Sequence, residues 1–253
     1  MTSQLAPLAS RLGHYARLFA RRAYRETHSV RSQYPTLYFP IEQLLHPDRR
    51  HICVSPQHDL VIEGYPRSSN SFTVAAFHQA QTKNFRVAHH LHAPAQIIRA
   101  CKLGIPCLVL VRRPRDAVLS CWIHTPEWSL AFLIRDYIRF YKSILPYSDG
   151  FVVATLEQTT TDLGSVIRRL NTKFESNFEL FDHTDDNSNQ VFRSMEEKHM
   201  KRLGRIDNKR ISRPTIERNS LKADLISQLE NPRLSKALRR ADYLFESLCS
   251  LSA

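Results

Sequence analysis

The chain has 253 residues, of which 42% are hydrophobic and 24% charged, a composition typical of one globular domain with a substantial core. The 36 Lys and Arg against 24 Asp and Glu give a formal net charge of +12, which favours phosphate-bearing or otherwise anionic partners. Only 6 residues are glycine, and neither G-x-G-x-x-G nor G-x-x-x-x-G-K-[ST] occurs. Rossmann dinucleotide enzymes and ordinary P-loop NTPases are therefore disfavoured.

The excess positive charge lies near the two ends of the chain. Residues 1–50 carry 8 basic and 3 acidic residues, and residues 191–222 carry 10 and 4. The first segment, residues 1–56 with its entry into the sheet, has leucines and arginines at helical spacing. We expect a basic amphipathic helix that packs on the domain. The alternative is peripheral contact of this segment with an anionic membrane surface.

Four short apolar runs alternate with helical patterns along the middle of the chain. The predicted strands are Asp59–Tyr65, Phe85–Leu91, Pro106–Val111 and Phe151–Leu156. Helices are predicted at Phe72–Gln81, at Ala95–Cys101 behind Pro94, from Pro114 onward, at Ser129–Ile144 and at about 161–171. Because strands alternate with helices, the fold class is α/β, with a central parallel β-sheet flanked by helices.

The C-terminal third has a polar part and a helical part. Residues 183–219 are predicted to be irregular, and a helical pair is predicted from Leu221 to Leu251. We expect a single domain over 1–253, in which 57–182 form the α/β core and 183–253 form a basic loop with C-terminal helices.

The five cysteines predict a reducing compartment. Their number is odd, no C-x-x-C occurs and most lie in apolar surroundings, which is typical of free buried thiols. No apolar run approaches the roughly 18 residues of a membrane-spanning helix, and the N-terminus has no continuous hydrophobic signal core. We therefore expect a cytoplasmic protein.

The first candidate site follows the first predicted strand. Pro66–Phe72 (PRSSNSF) passes through small hydroxyl and amide residues into a helix. Backbone N–H groups and the positive end of a helix dipole attract an anion at such a place, and Arg67 adds a fixed charge. The alternative is a capped helix without a ligand, since Ser and Asn favour N-cap positions in any case.

The second candidate site follows the third predicted strand. In Arg112–Ser120 (RRPRDAVLS), Pro114 and Asp116 favour a helix start. Ser120 lies one helical turn beyond Asp116, and Arg112 leaves the strand at its end. A guanidinium and a hydroxyl at this place suit the oxygens of a phosphate.

Three histidines mark the end of the second predicted strand. His90 and His92 are two residues apart, so a strand points them to the same side. A neutral imidazole there can take a proton from a hydroxyl. Zinc binding is the competing interpretation, but no further ligands stand at typical spacing. We expect His89 to be structural.

Together these segments resemble the sulfotransferase family that uses 3′-phosphoadenosine 5′-phosphosulfate (PAPS). Pro66–Phe72 is similar to the family's 5′-phosphosulfate loop, P-[KR]-S-G-[NT]-[ST]-[WF], and Arg112–Ser120 to its R-x-P-x-D-x-x-x-S element. His90–Pro94 (HLHAP) resembles its K-x-H-x-P strand end, and Phe151–Glu157 its following strand. Four elements in family order over residues 57–172 make the resemblance more specific than any single motif does.

The resemblance implies a P-loop-NTPase-like sulfotransferase fold, a PAPS co-substrate, no metal, and roles for individual residues. Arg112 and Ser120 would hold the 3′-phosphate. His92 would be the general base for the acceptor hydroxyl, and Arg67 would stabilise charge on the leaving phosphate oxygen. The loop residues that would hold the 5′-phosphosulfate are Arg67, Ser68, Ser69, Asn70 and Ser71, with Phe72 near the adenine.

Three positions depart from the family's pattern. Ser69 replaces the loop glycine, so the turn is strained or different if that position needs a positive φ. Arg67 stands where many relatives have Lys and donates as a planar fork. His90 replaces a Lys, so a cation at pH 7 is no longer guaranteed.

The C-terminal basic segment lies where the family has a late R-K-G loop, which is absent. Lys209–Arg218 (KRISRPTIER) occupies this place. We expect Arg213, helped by Arg210 or Arg218, to reach the 3′-phosphate. A solvated basic loop is the alternative.

The function expected from the resemblance is transfer of a sulfuryl group from PAPS to the hydroxyl of a carbohydrate, lipid or small metabolite. The alternative is a catalytically weak nucleotide-binding or interaction protein on the same fold. Nucleic-acid binding is less favoured because the basic ends contain no known module. Kinase activity is less favoured because the Walker Lys and a metal-binding Asp pattern are absent.

Overall fold

Four parallel strands lie at the centre of the fold, which the computed structural model describes for residues 20–21, 23–204 and 225–252. The strands are β1 (Leu60–Gly64), β2 (Val87–His89), β3 (Cys107–Val111) and β4 (Val152–Thr155). Their order across the sheet is β2-β1-β3-β4. β1 pairs in parallel with β2 and β3, and β3 with β4.

Helices precede, connect and follow these strands. In chain order they are α1 (residues 23–31), α2 (Pro35–Leu45), α3 (Asn70–Ala80), α4 (Pro94–Leu103), α5 (Pro114–His124), α6 (Leu130–Ile144), α7 (Leu156–Thr161), α8 (Leu163–Phe174), α9 (Asp185–Leu203) and α10 (Pro232–Cys249). Short 3-10 helices occupy Pro47–Ile52, Leu145–Gly150, Ser227–Glu230 and Ser250–Ser252.

The strands send alternate side chains into two apolar clusters, one on each face of the sheet. Leu60 and Ile62 pack with residues of α3 and α8. Val61 and Val109 pack with residues of α4, α6 and α10. This alternation follows from the strand repeat of two, and helices on both faces are usual for parallel sheets. The predicted α/β class, with a central parallel sheet flanked by helices, is confirmed.

The helix predicted at about 161–171 is found as α8, and the short helix α7 precedes it directly after β4. The two helices meet at Asp162. The Asp162 carboxylate accepts a 3.1 Å hydrogen bond from the backbone N–H of Ser165. This N-cap starts a new helix where the previous one ends.

The expectation that residues 183–219 are irregular is wrong for α9. Thr184 caps this helix by accepting a hydrogen bond from the Asn187 backbone N–H at 3.2 Å. Gly204, with φ of +69°, ends it in the manner of a left-handed C-cap. Val191 is buried among residues of the α3 and α8 cluster. The apolar stripe of α9 is too narrow for the hydrophobic periodicity of the sequence to predict this helix.

Of the helical pair expected from Leu221 to Leu251, the second helix is found as α10. Residues 225–226 are helical, and a 3-10 turn at Ser227–Glu230 separates them from α10. Residues 221–224, where the first helix of the pair is expected, lie outside the described residues. Asn231 accepts a hydrogen bond from the Arg233 backbone N–H at 3.0 Å, and Pro232 occupies the first helical turn. Both residues favour a helix start.

Two predicted basic segments lie wholly or largely outside the described residues. They are the N-terminal amphipathic helix up to residue 19, and the segment that contains Arg210, Arg213 and Arg218. The described helix α1 packs on α6 through an ion pair between Arg25 and Asp136, 3.0 Å long. Within the described ranges, every helix is too short or too polar to cross a bilayer.

The five cysteines are free thiols, in agreement with the prediction. Cys53, Cys107 and Cys121 are buried, whereas Cys101 and Cys249 are partly exposed. Burial raises the pKa of Cys121 to about 11, so this thiol stays protonated at neutral pH.

Candidate functional site

The candidate site lies beyond the carboxyl ends of β1 and β3, where open parallel sheets collect ligands. Gly64 ends β1 in close contact with β3: a Cβ at this position would meet the Leu110 carbonyl oxygen at 2.4 Å. Only glycine permits this approach. Tyr141 stabilises the same junction, because its hydroxyl donates to the Leu110 carbonyl at 2.7 Å and accepts from the Tyr65 N–H at 3.3 Å.

The loop between β1 and α3 has two left-handed residues. Arg67 has φ of 71° and Ser69 has φ of 68°, a region that favours glycine. The position of the missing loop glycine therefore does require a positive φ, and serine occupies it at a steric cost. The Ser69 hydroxyl lies 2.7 Å from the Thr159 Oγ1 and 3.3 Å from the Thr73 Oγ1. These contacts hold the strained turn in place.

The start of α3 has no side-chain cap. Ser69 occupies the N-cap position but makes no cap hydrogen bond, since its hydroxyl is directed at Thr159. The first N–H groups of a helix have no acceptor within the helix. A capped helix without a ligand is therefore less well supported than an anion site at this position.

The two arginine motifs meet beside this loop. Arg67 Nε donates to Ser120 Oγ at 3.2 Å, and Arg112 Nη1 donates to the Arg67 carbonyl at 2.8 Å. Burial lowers the pKa of Arg112, and the carboxylates of Asp116 and Glu157 partly oppose this shift. Two guanidinium groups thus lie at one edge of the sheet. Ser120 is buried, so its hydroxyl positions Arg67, and its contact with a 3′-phosphate stays a prediction.

The histidine segment is not an extended strand, which corrects the geometry expected for it. β2 ends at His89, and His90 and His92 have φ of 59° and 50°. The two rings nevertheless lie near each other, with centroids 5.9 Å apart. A tight turn, not strand alternation, brings them together.

The His92 imidazole is oriented by β1. Its Nδ1 lies 2.9 Å from the Gly64 carbonyl oxygen, and because a carbonyl only accepts, Nδ1 is the donor. Its side chain is 25% exposed. Burial lowers the pKa of His92 to about 4, with further lowering by the charges of Arg25, Arg67 and His89. His92 is therefore neutral at pH 7, and Nε2 carries the lone pair.

His90 connects the histidine segment to the loop. Its Nε2 lies 3.0 Å from the Ser71 hydroxyl, and its Nδ1 lies 2.8 Å from the Nδ1 of His89. Burial, followed by the nearby His90, lowers the pKa of His89 to about 3. Ser71 and His90 thus belong to one hydrogen-bonded chain at the site.

Three of the predicted loop residues are buried. Phe72 is 4% exposed and packs against Phe181 and Phe192, with ring centroids 6.4 and 5.3 Å apart. Little of its ring is accessible to a base, and its stacking on adenine stays a prediction. Ser68 and Asn70 are also buried. Contact of these two residues with a ligand stays a prediction.

Sequence reasoning misses Glu63. This residue lies inside β1 and is fully buried, with a relative exposure of 0%. Its carboxyl oxygens accept from the backbone N–H of Gly64 at 3.0 Å and of Leu91 at 2.9 Å. Burial raises the pKa of Glu63 to about 8, and the backbone hydrogen bonds oppose the shift. The available signal is an acidic residue within the apolar run Asp59–Tyr65.

Thr159 is also missed. Its hydroxyl contacts Ser69 across 90 residues of sequence and donates to the Leu156 carbonyl at 2.9 Å. Thr159 is the first of three consecutive threonines, and nothing in the local pattern distinguishes it from the other two.

The comparisons with known proteins give a distant likeness to solved structures. No protein-family model matches the chain, and no curated protein matches it. The chain is similar to the crystal structure of mouse sulfotransferase SULT7A1 complexed with PAP, with a TM-score of 0.40 and 12% identity. The match covers 75% of this chain and 93% of that chain. A likeness at this level does not identify a function.

The site therefore brings positive charge and backbone N–H donors together with a neutral imidazole. Arg67, Arg112 and the start of α3 offer positive charge and N–H donors, and His92 offers a neutral nitrogen. Among the described residues, no group of three His, Cys, Asp or Glu side chains is placed to hold a metal ion. Arrangements of this kind suit group transfer from an anionic donor to a hydroxyl.

Proposed function

We propose that the chain transfers a sulfuryl group from PAPS to the hydroxyl of a carbohydrate, lipid or small metabolite. The observation that carries the proposal is the meeting of two motifs far apart in sequence. Arg67 Nε donates to Ser120 Oγ across 53 residues, and Arg112 Nη1 donates to the Arg67 carbonyl across 45. The resemblance of both motifs to the sulfotransferase family supports the choice of donor.

The residues present fit a nucleotide with two separate anionic groups. The uncapped start of α3 and the side chain of Arg67 would bind the 5′-phosphosulfate. Arg112, at the end of β3, would bind the 3′-phosphate as a bidentate donor. The charges of the two groups are opposite in sign to both arginines, and burial of Arg112 strengthens its interaction with an anion.

In the proposed reaction, the acceptor oxygen forms a bond to sulfur while the bond between sulfur and the 5′-phosphate oxygen breaks. The hydroxyl proton passes to His92 Nε2. Arg67 stabilises the negative charge that develops on the leaving phosphate oxygen. The products are a sulfate ester and adenosine 3′,5′-bisphosphate. A base with a pKa of about 4 suffices because the acceptor oxygen becomes strongly acidic as it bonds to sulfur.

The proposal is tested first by binding, which requires no knowledge of the acceptor. We expect adenosine 3′,5′-bisphosphate to raise the melting temperature of the full chain in a concentration-dependent way. Adenosine 5′-monophosphate, which lacks the 3′-phosphate, is the matched control and should give a smaller shift. If the bisphosphate gives no shift at millimolar concentration, the proposed donor is wrong.

A second candidate function is nucleotide binding with little or no turnover. The observation that favours it is the position of His90, where relatives carry a Lys. Its Nδ1 lies in hydrogen-bond contact with His89 and its Nε2 with Ser71, so position 90 lacks the permanent charge that a Lys would bring. Release of the bisphosphate from PAPS with hydroxyl acceptors of several classes separates the two. Tight binding without release for any class favours the second function.

A further inference from the structure

We propose that Glu63 is a positioning residue, which fixes the turn at His90–His92 and holds the His92 imidazole with Nδ1 toward β1 and Nε2 toward the site. The positional part of this inference depends only on the fold, whereas its consequence for catalysis rests on the proposed function. Glu63 is neither a predicted site residue nor part of the reaction described above.

Glu63 replaces a backbone acceptor at the point where β2 leaves the sheet. The register of β1 with β2 pairs Ile62 with His89, and β2 ends there. His90, with φ of 59°, then turns the chain away. The Leu91 N–H is satisfied by Glu63 Oε2 at 2.9 Å instead of by a strand carbonyl. The carboxyl group thereby accepts a hydrogen bond that the carbonyl groups of a regular parallel sheet cannot accept, because the chain has already turned away from β1.

Glu63 and Gly64 together hold one edge of the His92 ring. Glu63 Oε1 accepts from the Gly64 N–H at 3.0 Å and lies 3.5 Å from His92 Nδ1. The Gly64 carbonyl oxygen lies 2.9 Å from the same nitrogen. Two oxygens from adjacent residues of β1 therefore lie beside Nδ1. The Gly64 carbonyl accepts its proton, and the Glu63 carboxylate, when ionised, favours the same protonation. This selects the tautomer whose free lone pair is on Nε2.

A purely apolar strand would be the simpler solution at position 63. Burying a carboxyl group is unfavourable unless it is hydrogen-bonded, and the raised pKa of Glu63 reflects this cost. Leu or Val at position 63 would avoid the cost but would leave the Leu91 N–H without its acceptor. His90 and His92 are left-handed, and such turns persist only where the surroundings hold them. A role in holding the His92 turn accounts for the buried acid.

The test is Glu63→Gln, which keeps the size of the side chain but places an NH₂ group against donors. Asp59→Asn is the matched control. Asp59 precedes β1 at its opposite end and accepts from the Arg86 N–H at 2.7 Å, so the control alters the same kind of bond far from His92.

Two measurements are made on the full chain at about pH 9, above the pKa of about 8 of Glu63, where the wild-type carboxyl group is ionised and only accepts hydrogen bonds. Long-range ¹H–¹⁵N correlation spectra should give a single Nδ1–H tautomer for His92 in the wild type and in Asp59→Asn, and a mixture of tautomers in Glu63→Gln. Transfer should fall about 100-fold in kcat in Glu63→Gln, with affinity for adenosine 3′,5′-bisphosphate changed by less than about twofold. Asp59→Asn should leave kcat unchanged.

The outcomes separate this inference from the proposed function. An Nε2–H tautomer in the wild type overturns the inference even if Glu63→Gln does not fold. A folded Glu63→Gln with an unchanged tautomer and kcat overturns it as well. If the wild type binds no bisphosphate, the proposed function fails, while the tautomer spectra still decide the role of Glu63.

Discussion

Arg67 and Ser120 share a 3.2 Å hydrogen bond although 53 residues separate them. The bond joins the loop after β1 to the helix after β3, and Ser120 is buried. Because Arg67 also has a left-handed backbone, its guanidinium is held from both ends. A guanidinium group fixed in this way loses less side-chain conformational entropy on binding an anion than an unconstrained lysine would.

Arg112→Ala is expected to weaken binding of adenosine 3′,5′-bisphosphate by about 10- to 100-fold, since a hydrogen bond to a charged group contributes about 1.5–3 kcal/mol. The variant also loses the bond to the Arg67 carbonyl. Isothermal titration calorimetry measures the change. Arg115→Ala is the control, because Arg115 is exposed on the same helix start. Equal affinities for Arg112→Ala and wild type would contradict the assignment of the 3′-phosphate site.

His92→Ala is expected to abolish transfer while binding of the bisphosphate is retained, because the imidazole supplies the proton acceptor and not the anion site. Rates of bisphosphate release and calorimetric affinity are measured on the same preparation. His78→Ala serves as the control, since His78 is exposed on α3. Full activity in His92→Ala would exclude this residue as the base.

The pH dependence of transfer is expected to follow the low pKa of His92. Only neutral His92 accepts a proton, and its pKa in the folded protein is about 4. Activity should therefore fall as the pH drops through about 4, and it should show no histidine titration between pH 6 and 7. The profile of kcat against pH, recorded where the chain stays folded, provides the check. A midpoint near the ordinary histidine value of about 6.5 would mean that another group is the base.

The sequence was sufficient for the sheet and for the placement of both arginine motifs. Apolar runs bounded by polar turns identify β1 and β3, and the Pro114–Asp116 pattern identifies the start of α5. Each arginine motif directly follows a predicted strand, and the carboxyl ends of parallel strands meet at one edge of the sheet. The sequence therefore predicts that Arg67 and Arg112 lie at the same edge.

The missed features depend on contacts that no local pattern records. Glu63, which lies on another strand, sets the turn at His90–His92. The prediction that these histidines continue an extended strand was therefore wrong, although the local sequence favours it. The partnership of Ser69 with Thr159 spans 90 residues. α9 was missed because Val191 is the one side chain buried among its described residues, and a wide apolar stripe is therefore absent from that part of the helix.

The free energy of unfolding should depend on pH through the protonation of Glu63. Its pKa is about 8 in the folded chain and about 4.3 in the unfolded chain. Between these values the folded state binds more protons, so the Glu63 contribution falls as the pH rises from about 4.3 to 8. The wild type should therefore lose stability relative to Glu63→Gln across this range, measured by urea unfolding at several pH values. A difference independent of pH would contradict the raised pKa.

Ser69 stands where the loop requires a left-handed residue, and its replacements separate strain from hydrogen bonding. Ser69→Ala keeps the strained φ of 68° and loses the contacts to Thr159 and Thr73, so a loss of about 1 kcal/mol is expected. Ser69→Gly loses the same contacts but relieves a strain of about 1–2 kcal/mol, and it should be as stable as the wild type or more so. Urea unfolding midpoints of the three proteins measure both effects. Equal destabilisation by Ala and Gly would mean that the turn stores no strain and that the hydroxyl contacts alone hold it.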